Sequence, residues 1–212
     1  MAGDGSWLLR EAIYDISQQL QEKGYIAAND GNISTRYGKS YFMITPTGIR
    51  KSEIQPEELL IVDESGKVID GPEGLVTTSE FLMHARIYQV RPDINAIVHA
   101  HPPYATAFAI LNKAMDGDYL PEIIYFMDKI GYAPYGTPGI PDLADQVESV
   151  AKKHDAFLMA NHGAVGIGAD LKSAWWNLER TDHMAKIIIK ARVMGEPVEL
   201  NKSQVKAIKD LK

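Results

Sequence analysis

Apolar residues recur along this chain with two periods, one helical and one alternating, and the switch between them predicts its elements. Leu9, Ile13, Ile16 and Leu20 fall at helical spacing across residues 7–23, and Gly24 stands where a helix would stop. The stretches DGNIST, SYFMIT and PTGIR mix turn residues with β-branched and aromatic ones, which predicts short strands joined by tight loops. LLIVD and KVID, separated by ESG, predict a hairpin. Beyond GPEG, Thr78 or Ser79 is placed to cap a helix through EFLMHARIYQV that Arg91 and Pro92 end. NAIVHAH, short and rich in β-branched residues, predicts a buried strand.

Pro102 and Pro103 open a predicted helix over YATAFAILN. The region from Met115 to Pro141 is punctuated by Gly and Pro and holds strand candidates such as EIIYFM. Residues 142–153 predict a helix, AFLMA a strand, and NHGAVGIGAD a turn into another strand. Leu171, Trp175, Leu178, Ala185, Ile188 and Ile189 keep a helical stripe until Gly195 and Pro197. NKSQVKAIKDLK reads as either a short helix or a loose tail. With no repeat, low-complexity tract or linker, residues 1–212 read as a single α/β domain.

Composition narrows the chemistry. The 212 residues are 45% hydrophobic and 24% charged, an ordinary globular balance that supports a packed core without covalent staples. A net charge of −6, with no basic cluster longer than Lys152 and Lys153, leaves little electrostatic footprint for nucleic acid. The start carries Asp4 and Glu11 around a short apolar patch, so neither a signal peptide nor a membrane span is expected, and a cytoplasmic location is. No cysteine is present, which removes disulfides, thiolate nucleophiles and cysteine-ligated metals. Any metal must use His, Asp or Glu.

His99 and His101 lie two apart, so a strand presents both imidazoles on one face. His162, at an Asn-His-Gly turn after a buried strand, supplies a third ligand, and three imidazoles with an open position form the pattern of a catalytic divalent site, commonly zinc. An HxH pair alone is a coincidence about half the time, and His162 alone is a turn residue. Glu80, at the start of the helix directly upstream of the HxH strand, shifts the balance because its carboxylate can enter the same cleft. His154 and His183 read as surface residues; His84, one turn from Glu80, reads as packing. The loops GNIST, TPTGI and TTSE offer amide and hydroxyl donors to an anion. Each alone is an ordinary turn; three of them beside a three-histidine cluster point to a phosphate pocket next to a metal.

GNIST, ITPTGI, TSE, VHAHP and NHG, in this order and spacing, resemble the class II aldolase/adducin family over nearly the whole chain. The resemblance implies a three-layer α/β/α domain with a mostly antiparallel central sheet, assembled as a homotetramer with active sites at subunit interfaces. It implies His99, His101 and His162 as zinc ligands, with Mn2+ or Co2+ as substitutes. Glu80 corresponds to the family's catalytic acid/base and also binds the metal without substrate. Gly31, Asn32, Thr47, Gly48, Thr78 and Ser79 correspond to the phosphate-binding positions, and Tyr125 to a tyrosine that reaches a neighbouring subunit's site. The implied activity is that of a lyase cleaving a ketose 1-phosphate to dihydroxyacetone phosphate and an aldehyde, with a phosphorylated sugar as partner and no nucleic acid or membrane.

Three departures stand out: Thr78-Ser79-Glu80 where members often carry Ser-Ser-Glu, Asn161-His162-Gly163 in place of His-His-Gly, and no tyrosine in residues 198–212, which bears on the aldehyde. Other activities of the family stay open at this point. A ribulose-5-phosphate 4-epimerase typically carries Asp at the positions of Glu80 and Tyr125, and a sugar-acid phosphate decarboxylase usually carries Lys at that of Ser79. A non-catalytic adducin-like scaffold needs no ligand set.

Overall fold

The computed structural model describes residues 5–211; residues 1–4 and 212, and with them Asp4 of the acidic start, lie outside the described residues. Helix α1 (Gly5–Glu22) turns Ile13, Ile16, Ser17 and Leu20 inward, the stripe its periodicity demands. Strands β1 (Asn32–Tyr37) and β2 (Tyr41–Ile44) follow, then the hairpin of β3 (Leu60–Asp63) and β4 (Val68–Asp70). Helix α2 (Phe81–Val90) leads to β5 (Ala96–Ala100), whose five residues are all buried. Helices α3 (Pro103–Ile110) and α4 (Pro121–Phe126), strand β6 (Gly131–Ala133), helix α5 (Pro141–Ala151) and strands β7 (Ala156–Met159) and β8 (Gly163–Gly168) come next. The 24-residue α6 (Leu171–Met194) and the short α7 (Lys202–Lys209) close the order.

The strands form one sheet in the order β4-β3-β2-β1-β5-β8-β7-β6, antiparallel throughout except for the parallel pair β6 and β7. Period-two alternation divides its side chains between two apolar layers. Ile33, Met43, Ala96, Val98 and Leu158 pack with Ile13 of α1, Phe108 of α3 and Leu178 of α6. Phe42, Ile44, Ile97, Phe157 and Val165 pack with Ile87 of α2 and Val147 of α5. The architecture is thus α/β/α in three layers with a mostly antiparallel sheet, and β5 lies near its middle.

Two expectations need correction. EIIYFM is not a strand but α4: Pro121 sits at the first helical position with its φ already fixed, and Ile123, Ile124 and Met127 are buried at helical rather than alternating spacing. Neither Thr78 nor Ser79 caps α2. The N-cap residue is Glu80, and no side chain caps that end because its carboxylate is engaged in the cleft. The open choice for the tail resolves to helix α7, capped by the side chain of Asn201. Among the described residues no helix is long and apolar enough to cross a membrane.

Helix α6 sits directly on β8 because that strand carries glycine where the two backbones meet. A Cβ at Gly166 would lie 2.3 Å from the Ala174 carbonyl oxygen and 2.6 Å from the Leu178 nitrogen, both main-chain atoms that cannot swing aside. Gly166→Ala is therefore expected to lower stability by about 1–3 kcal/mol or more, read as a lower urea midpoint at unchanged m-value. A midpoint equal to the parent's would refute this contact.

Candidate metal and anion site

The register of β5 decides which layer its histidine faces. His99 lies opposite Asn32 of β1 and opposite Val165 of β8. It shares the face of Ile97, away from α1, α3 and α6 and beneath the N-terminus of α2. His101 follows just beyond the strand, its main-chain N–H bonded to the Tyr25 carbonyl at 2.9 Å. His162 comes from the turn between β7 and β8, where Asn161 adopts a positive φ of 55°. The three ring centroids lie 4.8–5.1 Å apart, and the candidate ligand atoms lie within 4.8 Å of one another.

These rings meet only because residue 163 is glycine. A Cβ there would come within 2.5 Å of the Ala100 carbonyl oxygen and 2.6 Å of His101 Cδ2. Asn-His-Gly is thus a packing requirement as well as a turn.

Hydrogen bonds fix which nitrogens face inward. His99 Nδ1 donates to the Ala164 carbonyl at 2.9 Å, leaving Nε2 as a lone-pair donor, and His101 Nδ1 lies 3.5 Å from Asp30 Oδ2. His99 Nε2, His101 Nε2 and His162 Nδ1 are buried with no hydrogen-bond partner. Glu80 enters from the other side, Oε2 lying 3.2 Å from His99 Nε2 and Oε1 3.1 Å from His162 Nε2. Burial opposes charge on Glu80, yet the pull of His99, which is protonated only in the acid range where the carboxyl titrates, and the hydrogen bonds from His162 and Asn32 overcome it and hold the carboxyl well below the usual carboxylate range. Burial likewise pushes His99 down to about 3 and lowers His101, so these rings are neutral. A neutral His99 Nε2 and a Glu80 oxygen are two acceptors facing each other at 3.2 Å, an arrangement that a shared cation relieves. Three imidazoles and a carboxylate fit a divalent ion of the zinc type.

The same cleft is lined by Gly31, Asn32, Thr47, Thr78 and Ser79 together with Glu80, His101 and His162. Gly48 turns the loop next to Thr47 with a φ of 78° and is not among the lining residues. Tyr125 is not brought there within one chain; it lies on α4, its ring 4.8 Å from that of Phe126. His183 is exposed and His154 half-buried, away from the cleft.

Sequence reasoning missed Lys51, which also lines the cleft. Only 1% exposed, its Nζ donates to the Asn29 carbonyl at 2.8 Å and the Ile49 carbonyl at 3.0 Å, tying the GNIST loop to the TPTGI loop. Burial pushes this ammonium down to about 8, against the opposing pull of Asp30 and Glu80. Its signal was weak: a lysine between Arg50 and Ser52 reads as a solvated loop residue. His84, assigned to packing, is fully buried but also hydrogen-bonded, to Asn32 and Ser34.

A family model described as Class II Aldolase and Adducin N-terminal domain matches residues 11–189. The chain belongs to the class II aldolase and adducin family. An L-fuculose phosphate aldolase of Methanococcus vannielii is 36% identical over 81% of this chain and 91% of its own length. A 5-methylthioribulose-1-phosphate/5-deoxyribulose-1-phosphate aldolase of Escherichia coli is 33% identical over 86% and 84%. A 3-oxo-tetronate 4-phosphate decarboxylase of Haemophilus influenzae is 31% identical over 84% and 85%. Among solved structures, an L-fuculose 1-phosphate aldolase superposes with a TM-score of 0.88 at 30% identity, covering 100% of this chain and 97% of that one. Class II aldolases are metal-dependent lyases acting on sugar phosphates, and this chain has a three-histidine group that could hold a metal ion.

His99→Ala or His101→Ala should each lose bound divalent metal, measured as metal per chain after dialysis, with the far-ultraviolet circular dichroism retained. Gly163→Ala should do the same by displacing His101. Stoichiometric metal in either histidine variant would dismantle the ligand set.

Proposed function

We propose that this chain is a zinc-dependent aldolase that cleaves a ketose 1-phosphate of the L-fuculose 1-phosphate type into dihydroxyacetone phosphate and an aldehyde. The observation that carries the reading is that two donor sets meet at one cleft: the three imidazoles and Glu80, and beside them amide, hydroxyl and ammonium donors. Bound by His99, His101 and His162, a zinc ion supplies Lewis acidity toward the oxygens that gain charge as the C3–C4 bond breaks. Thr47, Thr78, Ser79 and the Gly31 loop hold the phosphate, and Lys51 adds a cation that the acidic chain otherwise lacks in the cleft.

Cleavage moves a proton, in net, from the C4 hydroxyl to C3. Glu80 exchanges the proton at C3, and Tyr125 of a neighbouring subunit exchanges the one at the aldehyde oxygen. This division requires an oligomer with interface active sites; the family resemblance makes it a homotetramer, and the proposed location is the cytoplasm. Residues 198–212 hold no tyrosine, so the resemblance does not assign the aldehyde.

The test is a panel of ketose 1-phosphates carrying fuculose, rhamnulose, 5-deoxyribulose and methylthioribulose skeletons, assayed with zinc for dihydroxyacetone phosphate release against a chelated control. Chelator-sensitive release is expected. No release from any member, with epimerised ribulose 5-phosphate or decarboxylated 3-oxo sugar-acid phosphate instead, would replace the aldolase by the epimerase or the decarboxylase. An apoprotein that never takes up zinc would point to the scaffold. Glu80→Gln should retain folding but lose about 100-fold or more in kcat.

Lys51 generates a separate expectation. Lys51→Met should raise KM for the phosphorylated substrate roughly 10- to 100-fold, the usual scale of a hydrogen bond to a charged group. Because Lys51 is protonated below about 8 and neutral above it, the cation disappears as pH rises through that value. KM of the parent should therefore climb above pH 8, and KM of Lys51→Met should not. Parallel profiles would remove Lys51 from phosphate binding.

A further inference from the structure

Glu80 is held by a side chain that is itself held. Same-face residues of a strand lie about 6.7 Å apart, and residues four apart on a helix climb about 6 Å. Asn32 and Ser34 of β1 therefore keep step with Glu80, His84 and Tyr88 of α2 packed above them. Asn32 Nδ2 donates to Glu80 Oε2 at 2.7 Å, and Asn32 Oδ1 meets His84 Nε2 at 2.5 Å. His84 Nδ1 meets Ser34 Oγ at 2.7 Å, and Ser34 Oγ meets the Tyr88 hydroxyl at 2.9 Å. Asn32 is 3% exposed, Ser34 and His84 0%, and Tyr88 2%. Arg36 closes the far end by donating from Nη2 to the Tyr88 carbonyl at 2.8 Å.

We propose that His84, Ser34 and Tyr88 are positioning residues that set the orientation of the Glu80 carboxylate through Asn32. The direction of every bond in the chain follows from its first member. An ionised carboxylate only accepts, so Asn32 must present its NH2 to Glu80 and its oxygen to His84. His84 must then carry its proton on Nε2 and accept at Nδ1 from the Ser34 hydroxyl. Ser34, having donated, accepts from Tyr88. The neutral ring that this order needs is secured by burial, which pushes His84 down to about 4 against the opposing pull of Glu80.

Turning the Asn32 amide over would set its oxygen against the carboxylate and its NH2 against the Nε2 proton, leaving two buried pairs mismatched. Glu80 Oε2 is thereby pinned to the sheet, and Oε1 is the oxygen left toward His162 and the cleft. The assignment of proton exchange to Oε1 rests on the aldolase reading; the ordered chain of donors does not.

His84→Met keeps a buried, similarly sized side chain and removes both ring nitrogens. His84→Gln restores a donor and an acceptor at about the separation of the two ring nitrogens. His84→Met is expected to lose roughly 10- to 100-fold in kcat at unchanged KM and unchanged metal content, and His84→Gln to recover most of it. If His84→Met does not fold, Ser34→Ala removes the donor to Nδ1 and takes its place, with a smaller loss in kcat. Independently of any substrate, two-bond proton–nitrogen spectra of histidine-labelled protein at neutral pH should show His84 as the Nε2–H tautomer. An Nδ1–H tautomer, or a folded His84→Met with parental kcat, would overturn the relay. The Nε2–H tautomer in a protein that cleaves none of the ketose phosphates would leave the relay standing and refute the aldolase alone.

Discussion

Strand β5 is clasped between β1 and β8, and the candidate site depends on the register of those two pairings. With Asn32 and Val165 as its neighbours, His99 points into the layer under α2. A slip of one residue would turn it into the apolar layer of Ile33, Val98 and Leu158, under α1, α3 and α6 and away from Glu80. Burying an unpartnered imidazole there would cost on the order of 1–3 kcal/mol, so apolar packing itself favours the register that builds the candidate site. The same register places Asn32 beside His99 and beneath Glu80. One pair of ladders thus positions a candidate metal ligand and Asn32, the residue bonded to the proposed acid.

Around this frame the cleft gathers groups that do not satisfy one another. Neutral His99 faces an ionised Glu80, and buried nitrogens of three histidines lack partners. Lys51 is an almost fully buried ammonium whose two identified acceptors are carbonyls rather than a carboxylate. Leaving such groups unmatched is expensive in a low-dielectric interior. The imbalance is of the kind that a cation at one end and an anion at the other would correct together. A chain of net charge −6 would hold a phosphate here through the local donors of Thr47, Thr78, Ser79 and Lys51 rather than through a basic surface.

Much of this was legible beforehand. The helical stripes of α1 and α6 and the buried run of β5 survive translation into structure because each depends on local pattern alone. The His99 and His101 pair, with Glu80 upstream, was legible for the same reason. EIIYFM misled because a short apolar run with β-branched residues fits either period, and Pro121 decided it by fixing the backbone of a first helical turn. Lys51 was invisible because nothing in its neighbours distinguishes a buried lysine from a solvated one. His84 was visible as a residue one turn from Glu80, but its partner Asn32 lies 52 positions away on β1.

The sequence by itself determined the donor types available, the exclusion of thiolate chemistry, the faces of the regular elements and, by its ordered motifs, the family. Only the tertiary structure decided that Asn32, Glu80, His99 and His162 share one cleft, which nitrogen of His99 is free, and that Tyr88, Ser34, His84 and Asn32 line up toward Glu80. The physical reason is range. Periodicity records what a residue does within its own element, whereas tautomers, hydrogen-bond directions and the burial of a charge are set by partners that only sheet pairing and helix packing bring within reach.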